Sequence, residues 1–165
     1  MIPTVLLKPG KERSLERRHP WVYAAAIGSA VGAVENGGLI AIRASDRRFL
    51  AWGAHCPGSQ IRARCWSFAE SDRIDAAWLA ARVRAAVDSR KELLDTSEAV
   101  RLIFGEADGL PGLVADRYGK QLVVQIQSAG VDAHREVLLD ALCAASGCDD
   151  VFDRSDAALL SLIHI

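Results

Sequence analysis

The stretch that decides the fold is RLIFGEADGLPGLVADRYGKQLVVQIQ, residues 101–127, in which short apolar runs alternate with dense turn signals. Two strand-like runs, 101–104 and 113–115, flank Asp-Gly and Pro-Gly pairs within residues 108–112. Such pairs supply the backbone angles that a tight reversal requires. A Gly-Lys turn then leads into residues 122–127, where Leu122, Val124 and Ile126 alternate with Val123, Gln125 and Gln127. The pattern predicts a β-meander with one buried face.

Helices are predicted on both sides of this meander. Residues 74–94 are rich in alanine and carry an apolar stripe, and Asp75 is placed to cap their first turn. A second helix is predicted over residues 133–145, with Asp132 as its cap and Gly147 as its stop. A short strand follows at residues 151–152. We therefore expect an α+β arrangement of helix, meander, helix and strand.

Charge is unevenly divided along the chain, although the net charge is only −1. Residues 1–70 hold 10 Lys and Arg against 5 Asp and Glu, whereas residues 71–165 hold 10 against 16. A basic first part indicates either an anionic partner or a solvated basic face. The shift in composition near Ser71 predicts a domain boundary there.

The first part has the short strands and turns of a small, mostly antiparallel β-barrel. Its most informative strand covers residues 60–68, where small side chains alternate with arginine and aromatic ones. Arg62 and Arg64 on that strand fit a nucleic-acid surface, or ion pairs with a neighbouring helix. Trp21 fits either the core or a platform for an unpaired base. The full set of candidate RNA contacts is Lys8, Arg13, Arg17, Arg18, His19, Trp21, Arg62 and Arg64.

Several motifs resemble one family. The segment GEADGLPGLVADRYG at residues 105–119 is similar to the middle of the cytosine-5 methyltransferases that modify large-subunit ribosomal RNA. SLERRHPWVY (14–23), SQIRARCWSF (59–68) and FDRSDA (152–157) fit the same family. The resemblance implies a PUA-like RNA-binding domain over residues 1–70 and an α+β connecting domain over residues 71–157. It also implies that the family's Rossmann-like methyltransferase domain is absent from this chain.

The resemblance sets the functional expectations. The full-length family uses S-adenosylmethionine (SAM) to make 5-methylcytosine, and this chain is expected to dock ribosomal RNA for that reaction. No catalytic or cofactor-binding residue of the family is matched, so the chain alone is predicted to be inactive and to bind no cofactor. Two alternatives stay open: a stand-alone PUA-type RNA-binding protein, or a protein-interaction module without an RNA partner.

Other classes of function are disfavoured by the sequence. The four cysteines form no CxxC pair, no metal site is predicted, and Cys65 is expected to be a small buried hydrophobe. No apolar run reaches the length of a membrane span, and the N-terminus lacks the pattern of a secretory signal, so a cytoplasmic protein is expected. Residues 158–165 depart from the family and are predicted to be a non-native, truncated tail. The oligomeric state is not predicted.

Overall fold

The computed structural model describes residues 1–156, and the predicted non-native tail at 158–165 lies outside the described residues. The strands are β1 (Thr4–Leu7), β2 (Trp21–Tyr23), β3 (Ile27–Val31), β4 (Leu39–Arg43), β5 (Phe49–His55), β6 (Ile61–Ser67), β7 (Ala99–Phe104), β8 (Leu113–Tyr118), β9 (Gln121–Ile126) and β10 (Asp150–Asp153). The α-helices are α1 (Arg13–Glu16), α2 (Ala76–Asp88), α3 (Lys91–Thr96), α4 (Ala129–Ala133) and α5 (Arg135–Ser146). Short 3-10 helices span Ala24–Ala26 and Gly105–Asp108.

The first sheet has six strands in the order β2-β6-β5-β4-β1-β3. All neighbours are antiparallel except β1 and β4, which run parallel. The two ends of this order, β2 and β3, are separated in sequence only by the 3-10 helix Ala24–Ala26. Tyr23 and Ile27 can therefore lie at most about 14 Å apart, the reach of four extended residues. The sheet must curl to bring its two ends together.

The alternation of β6 places its side chains in two different cores. Ala63 and Cys65 are buried inside the curled sheet with the apolar side chains of β1, β4 and β5. The prediction for Cys65 is confirmed, and burial raises the pKa of its thiol to about 12. Trp66 points the other way, is 4% exposed, and packs edge-on against Trp78 of α2 and His134. Trp66 therefore packs under the helix that follows β6.

The second sheet has four strands in the order β10-β9-β8-β7. β7, β8 and β9 are antiparallel, and Gly109 and Gly112 adopt positive φ angles of 69° and 90° in the reversal between the first two. β10 instead pairs parallel with β9, and helices α4 and α5 connect the two strands. The predicted order of helix, meander, helix and strand is present, but the prediction did not include this β–α–β crossover, in which the last strand runs parallel to β9.

Two predicted helices are interrupted. The cap at Asp75 is confirmed, since its carboxylate accepts from the backbone N–H of Trp78 at 2.9 Å. The helix predicted over residues 74–94 stops at Asp88. The backbone angles of Arg90 are not helical, and the separate helix α3 begins after it.

The other helix starts earlier than predicted, because Ser128 caps the additional helix α4. Asp132 is therefore not a cap: it lies within α4 and pairs with Arg135, whose Nη2 is 2.8 Å from its Oδ1. The stop at Gly147 is confirmed by its left-handed φ of 69°.

The two sheets meet where α4 packs on β5. An added Cβ at Gly130 of α4 would overlap Ala54 of β5 and lie 3.3 Å from Trp66. Ala54 and Trp66 belong to the same buried cluster as the apolar side chains of α2, α5 and the second sheet. The first sheet therefore contributes directly to the core of the second. Over residues 1–156, the helices are all too short or too polar to cross a bilayer.

Candidate nucleic-acid interface

The predicted cationic cluster lies at the end of α1. Leu15 anchors this short helix in the core at 2% exposure, while Arg13, Arg17, Arg18 and His19 are all exposed. Within the described residues, neither Arg13 nor Arg17 forms an ion pair. Their guanidinium groups are therefore available to an external anion.

Lys8 and Arg62 have weaker claims to such a role. The Lys8 ammonium donates to the carbonyl of Ala25 at 3.1 Å, which ties β1 to the 3-10 helix Ala24–Ala26. Arg62 is half-buried on β6, and its Nε atom has no hydrogen-bond partner within residues 1–156. Burial, and then the positive charge of Arg62, lower the pKa of the neighbouring His55. RNA contact by these two side chains stays a prediction.

Trp21 and Arg64 are held together by a carboxylate from the second part of the chain. Glu106 accepts from Trp21 Nε1 at 2.8 Å and from Arg64 Nη1 at 2.9 Å through the same oxygen. The Arg64 guanidinium also lies 5.5 Å from the centre of the Trp21 ring. Trp21 is only half-buried, and the rings of His19 and Tyr23 approach it edge-on. This arrangement ties the first sheet to the segment after β7, and it engages both side chains within the fold. Contact of Trp21 or Arg64 with RNA stays a prediction.

One cation at this surface was missed from the sequence. Arg82 of α2 lies over the ring of Trp78, with its guanidinium carbon 4.6 Å from the ring centre, and borders the same groove as Arg18. The spacing of four residues between Trp78 and Arg82 is the signal that could have indicated this contact, because such residues are neighbours on a helix.

No group of three or more His, Cys, Asp or Glu side chains within residues 1–156 has an arrangement that could hold a metal ion.

Comparisons with known proteins agree with the motifs read from the sequence. Residues 5–68 match a PUA-like domain. The chain is 42% identical over 159 residues to a ribosomal RNA large subunit methyltransferase I from Salmonella enteritidis, and 39% identical over 161 residues to one from Pseudoalteromonas atlantica. These alignments cover 95–96% of this chain but only 40–41% of the relatives. The chain is thus homologous to rRNA methyltransferases and spans about 40% of their length.

Solved structures correct the predicted fold class. A SAM-dependent methyltransferase from Streptococcus mutans matches 94% of this chain and 41% of its own, with 14% identity and a TM-score of 0.78. A methyltransferase solved with SAH matches 96% of this chain and 41% of its own, with 13% identity and a TM-score of 0.81. The predicted fold class, which excluded a methyltransferase fold, is therefore wrong. The curled sheet and the second sheet together resemble part of that fold.

Proposed function

We propose that this chain docks large-subunit ribosomal RNA for a SAM-dependent methyltransferase reaction that produces 5-methylcytosine. The observation that carries the proposal is that Arg13 and Arg17, within the segment that matches a PUA-like domain, are exposed and form no ion pair among residues 1–156. Homology to rRNA methyltransferases over almost the whole chain supports the choice of RNA. We also propose a domain boundary near Ser71, with RNA docking assigned to residues 1–70, and a cytoplasmic location.

The turn after β9, the strand that pairs in parallel with β10, does not fit the cofactor of the related enzymes. In nucleotide-binding folds, the turn after a parallel strand is the usual place for such a ligand. Here the turn after β9 is filled, because Gly130 packs against Ala54 and Trp66. The Ser128 hydroxyl is also engaged, since it donates to the carbonyl of Pro111 at 2.8 Å. The proposal therefore assigns RNA contacts, and no SAM contact, to residues 1–156.

The proposal predicts a change in the salt dependence of RNA binding when Arg13 and Arg17 are both replaced by alanine. Each phosphate contact on a single strand contributes about 0.7 to the log–log slope, because its neutralisation releases condensed counterions. The double variant should therefore flatten the slope by about 1.4. The measurement is a salt titration by fluorescence anisotropy on a labelled hairpin of large-subunit ribosomal RNA.

A matched control removes two cations elsewhere. Arg84 and Lys120 are exposed and lie on the second part of the chain. Their double replacement by alanine removes the same amount of charge as the double replacement of Arg13 and Arg17. Because both residues lie outside the first part, the slope should stay within error of that of the unmodified chain. Equal flattening by both double variants would mean that binding follows net charge alone, and it would contradict docking through the first part.

A further inference from the structure

A groove of about 520 Å³ runs between the end of β6, helix α2 and the 3-10 helix Gly105–Asp108. It is lined by residues of both parts of the chain, and its size is within the range of small-ligand sites in proteins. The side chains that matter for its chemistry are Arg18, Phe68, Asp72, Arg82 and Glu106.

The two carboxylates of the groove are already engaged by donors of the fold. Asp72 Oδ2 accepts from Ser67 Oγ at 2.6 Å and from Trp78 Nε1 at 3.2 Å. Glu106 accepts from Trp21 and Arg64, as described above. Neither carboxylate is paired with Arg18 or Arg82. The carboxylates of Asp72 and Glu106 instead hold the walls of the groove in place through these hydrogen bonds.

The two guanidinium groups of the groove, in contrast, have no carboxylate partner within the described residues. Each lies against an aromatic ring: Arg18 is 5.6 Å from the centre of Phe68, and Arg82 is 4.6 Å from the centre of Trp78. A guanidinium stacked in this way keeps its N–H donors at the edge, where they can form a fork to an oxyanion. The groove therefore presents two oriented cations that pair with neither of its two carboxylates.

The backbone at Arg18 adds an independent observation. Arg18 has a φ of 61°, in the left-handed region, and its N–H donates to the carbonyl of Leu15 at 2.8 Å to end helix α1. Glycine or asparagine usually occupies such a position, and another residue costs about 1 kcal/mol there. A strained residue whose side chain enters a groove is a reason to suspect a functional role for that side chain.

We infer that this groove binds one backbone phosphate of the RNA strand, held between Arg18 and Arg82. The inference rests on the proposed function and deepens it, because it identifies a specific phosphate site and recruits a residue of the second part of the chain. The strand would then cross from the exposed arginines of α1 onto helix α2. Bidentate donation from two sides is the geometry that guanidinium groups offer to phosphate.

The test uses Arg18→Gly, Arg82→Gln and the double variant in salt titrations on the same RNA hairpin. Each single change should weaken binding. The double variant should flatten the log–log slope by about 0.7, the value of one phosphate. A slope flattened by about 0.7 corresponds to about five-fold weaker RNA binding by the double variant at 0.1 M salt, if its affinity at 1 M salt equals that of the unmodified chain. Arg18→Gly should also unfold at an equal or higher denaturant concentration, because glycine relieves the left-handed φ, so weaker binding cannot be ascribed to misfolding.

Arg47→Gly is the matched control. Arg47 is exposed, has a φ of 71°, and lies in the turn between β4 and β5, outside the groove. The Arg47→Gly variant should leave the log–log slope unchanged, although it removes the same charge as Arg18→Gly and relieves the same kind of backbone strain. An unchanged slope in the Arg18→Gly and Arg82→Gln double variant would overturn the groove site while leaving RNA docking through Arg13 and Arg17 intact. A loss of about 1.4 would mean two separate phosphates and would also overturn it.

The source of the phosphate is tested separately. Inorganic phosphate, added to the unmodified chain at constant ionic strength, should not displace the RNA at millimolar concentrations. Displacement that depends on Arg18 and Arg82 would show a site for free phosphate and would overturn the assignment to RNA. If the unmodified chain shows no salt-dependent RNA binding, the proposed function itself fails, and the groove site fails with it.

Discussion

Replacing Gly130 by alanine is expected to lower the free energy of unfolding by about 3 kcal/mol. The residue lies in helix α4, where alanine would normally be favoured by about 1 kcal/mol because it restricts the unfolded chain and suits the helix. Here the added Cβ would overlap Ala54 of β5 and lie 3.3 Å from Trp66. Overpacking in a buried contact therefore outweighs helix propensity, and the sign of the effect is reversed. Urea denaturation followed by circular dichroism measures the change.

Two controls separate overpacking from other effects of the methyl group. Gly28 lies on strand β3, and its nearest neighbours would be at least 3.4 Å from an added Cβ, so Gly28→Ala should change stability by less than about 1 kcal/mol. Ala54→Gly removes the methyl group that Gly130→Ala would strike. In the double variant it should recover part of the loss, with a coupling energy of about 1–3 kcal/mol. Strictly additive losses would mean that α4 and β5 do not pack in this way.

Replacing Asp108 by asparagine is expected to lower the free energy of unfolding by about 3 kcal/mol. Asp108 receives two hydrogen bonds from Arg90, at 3.0 and 2.9 Å, and a third from the backbone N–H of Phe104 at 2.6 Å. Only 13% of the Asp108 side chain and 20% of the Arg90 side chain are exposed. An asparagine would turn an amide donor toward one of these donors and leave the Arg90 cation uncompensated. Guanidinium denaturation provides the measurement.

Asp116→Asn is the matched control for this prediction. Asp116 also binds an arginine through both oxygens, since Arg101 donates to them at 2.8 and 3.1 Å. The Arg101 side chain is 49% exposed, however, so water can replace the lost interaction and the cost should stay below about 1 kcal/mol. If both variants lose the same amount, burial is not what makes the Arg90–Asp108 pair important.

Local patterns predicted the parts of the fold that depend on neighbouring residues. The cap at Asp75, the stop at Gly147 and the burial of Cys65 each follow from side chains within a few positions in the sequence. The parallel pairing of β10 with β9 could not be read in this way, because a short apolar strand carries no information about its direction. Arg90, at the break between α2 and α3, likewise reaches Asp108, 18 positions away, a contact that no local pattern could show.

The candidate interface shows the same division between local and distant information. The alternation of β6 separated Arg64 from Cys65 correctly, since Arg64 reaches Glu106 whereas Cys65 is buried in the interior of the curled sheet. It could not show that Glu106, 42 residues further along, would neutralise Arg64 and hold Trp21 as well. Sequence alone therefore identified the cations of the first part but could not tell which of them the fold had already paired.

The measurement that tests RNA docking most directly is the salt titration of the unmodified chain on a hairpin of large-subunit ribosomal RNA. Contacts from Arg13, from Arg17 and from the groove between Arg18 and Arg82 amount to three phosphates. The logarithm of the association constant should then fall with the logarithm of salt concentration with a slope of about −2 or steeper. A slope near zero, or the absence of binding at 50 mM salt, would contradict the account.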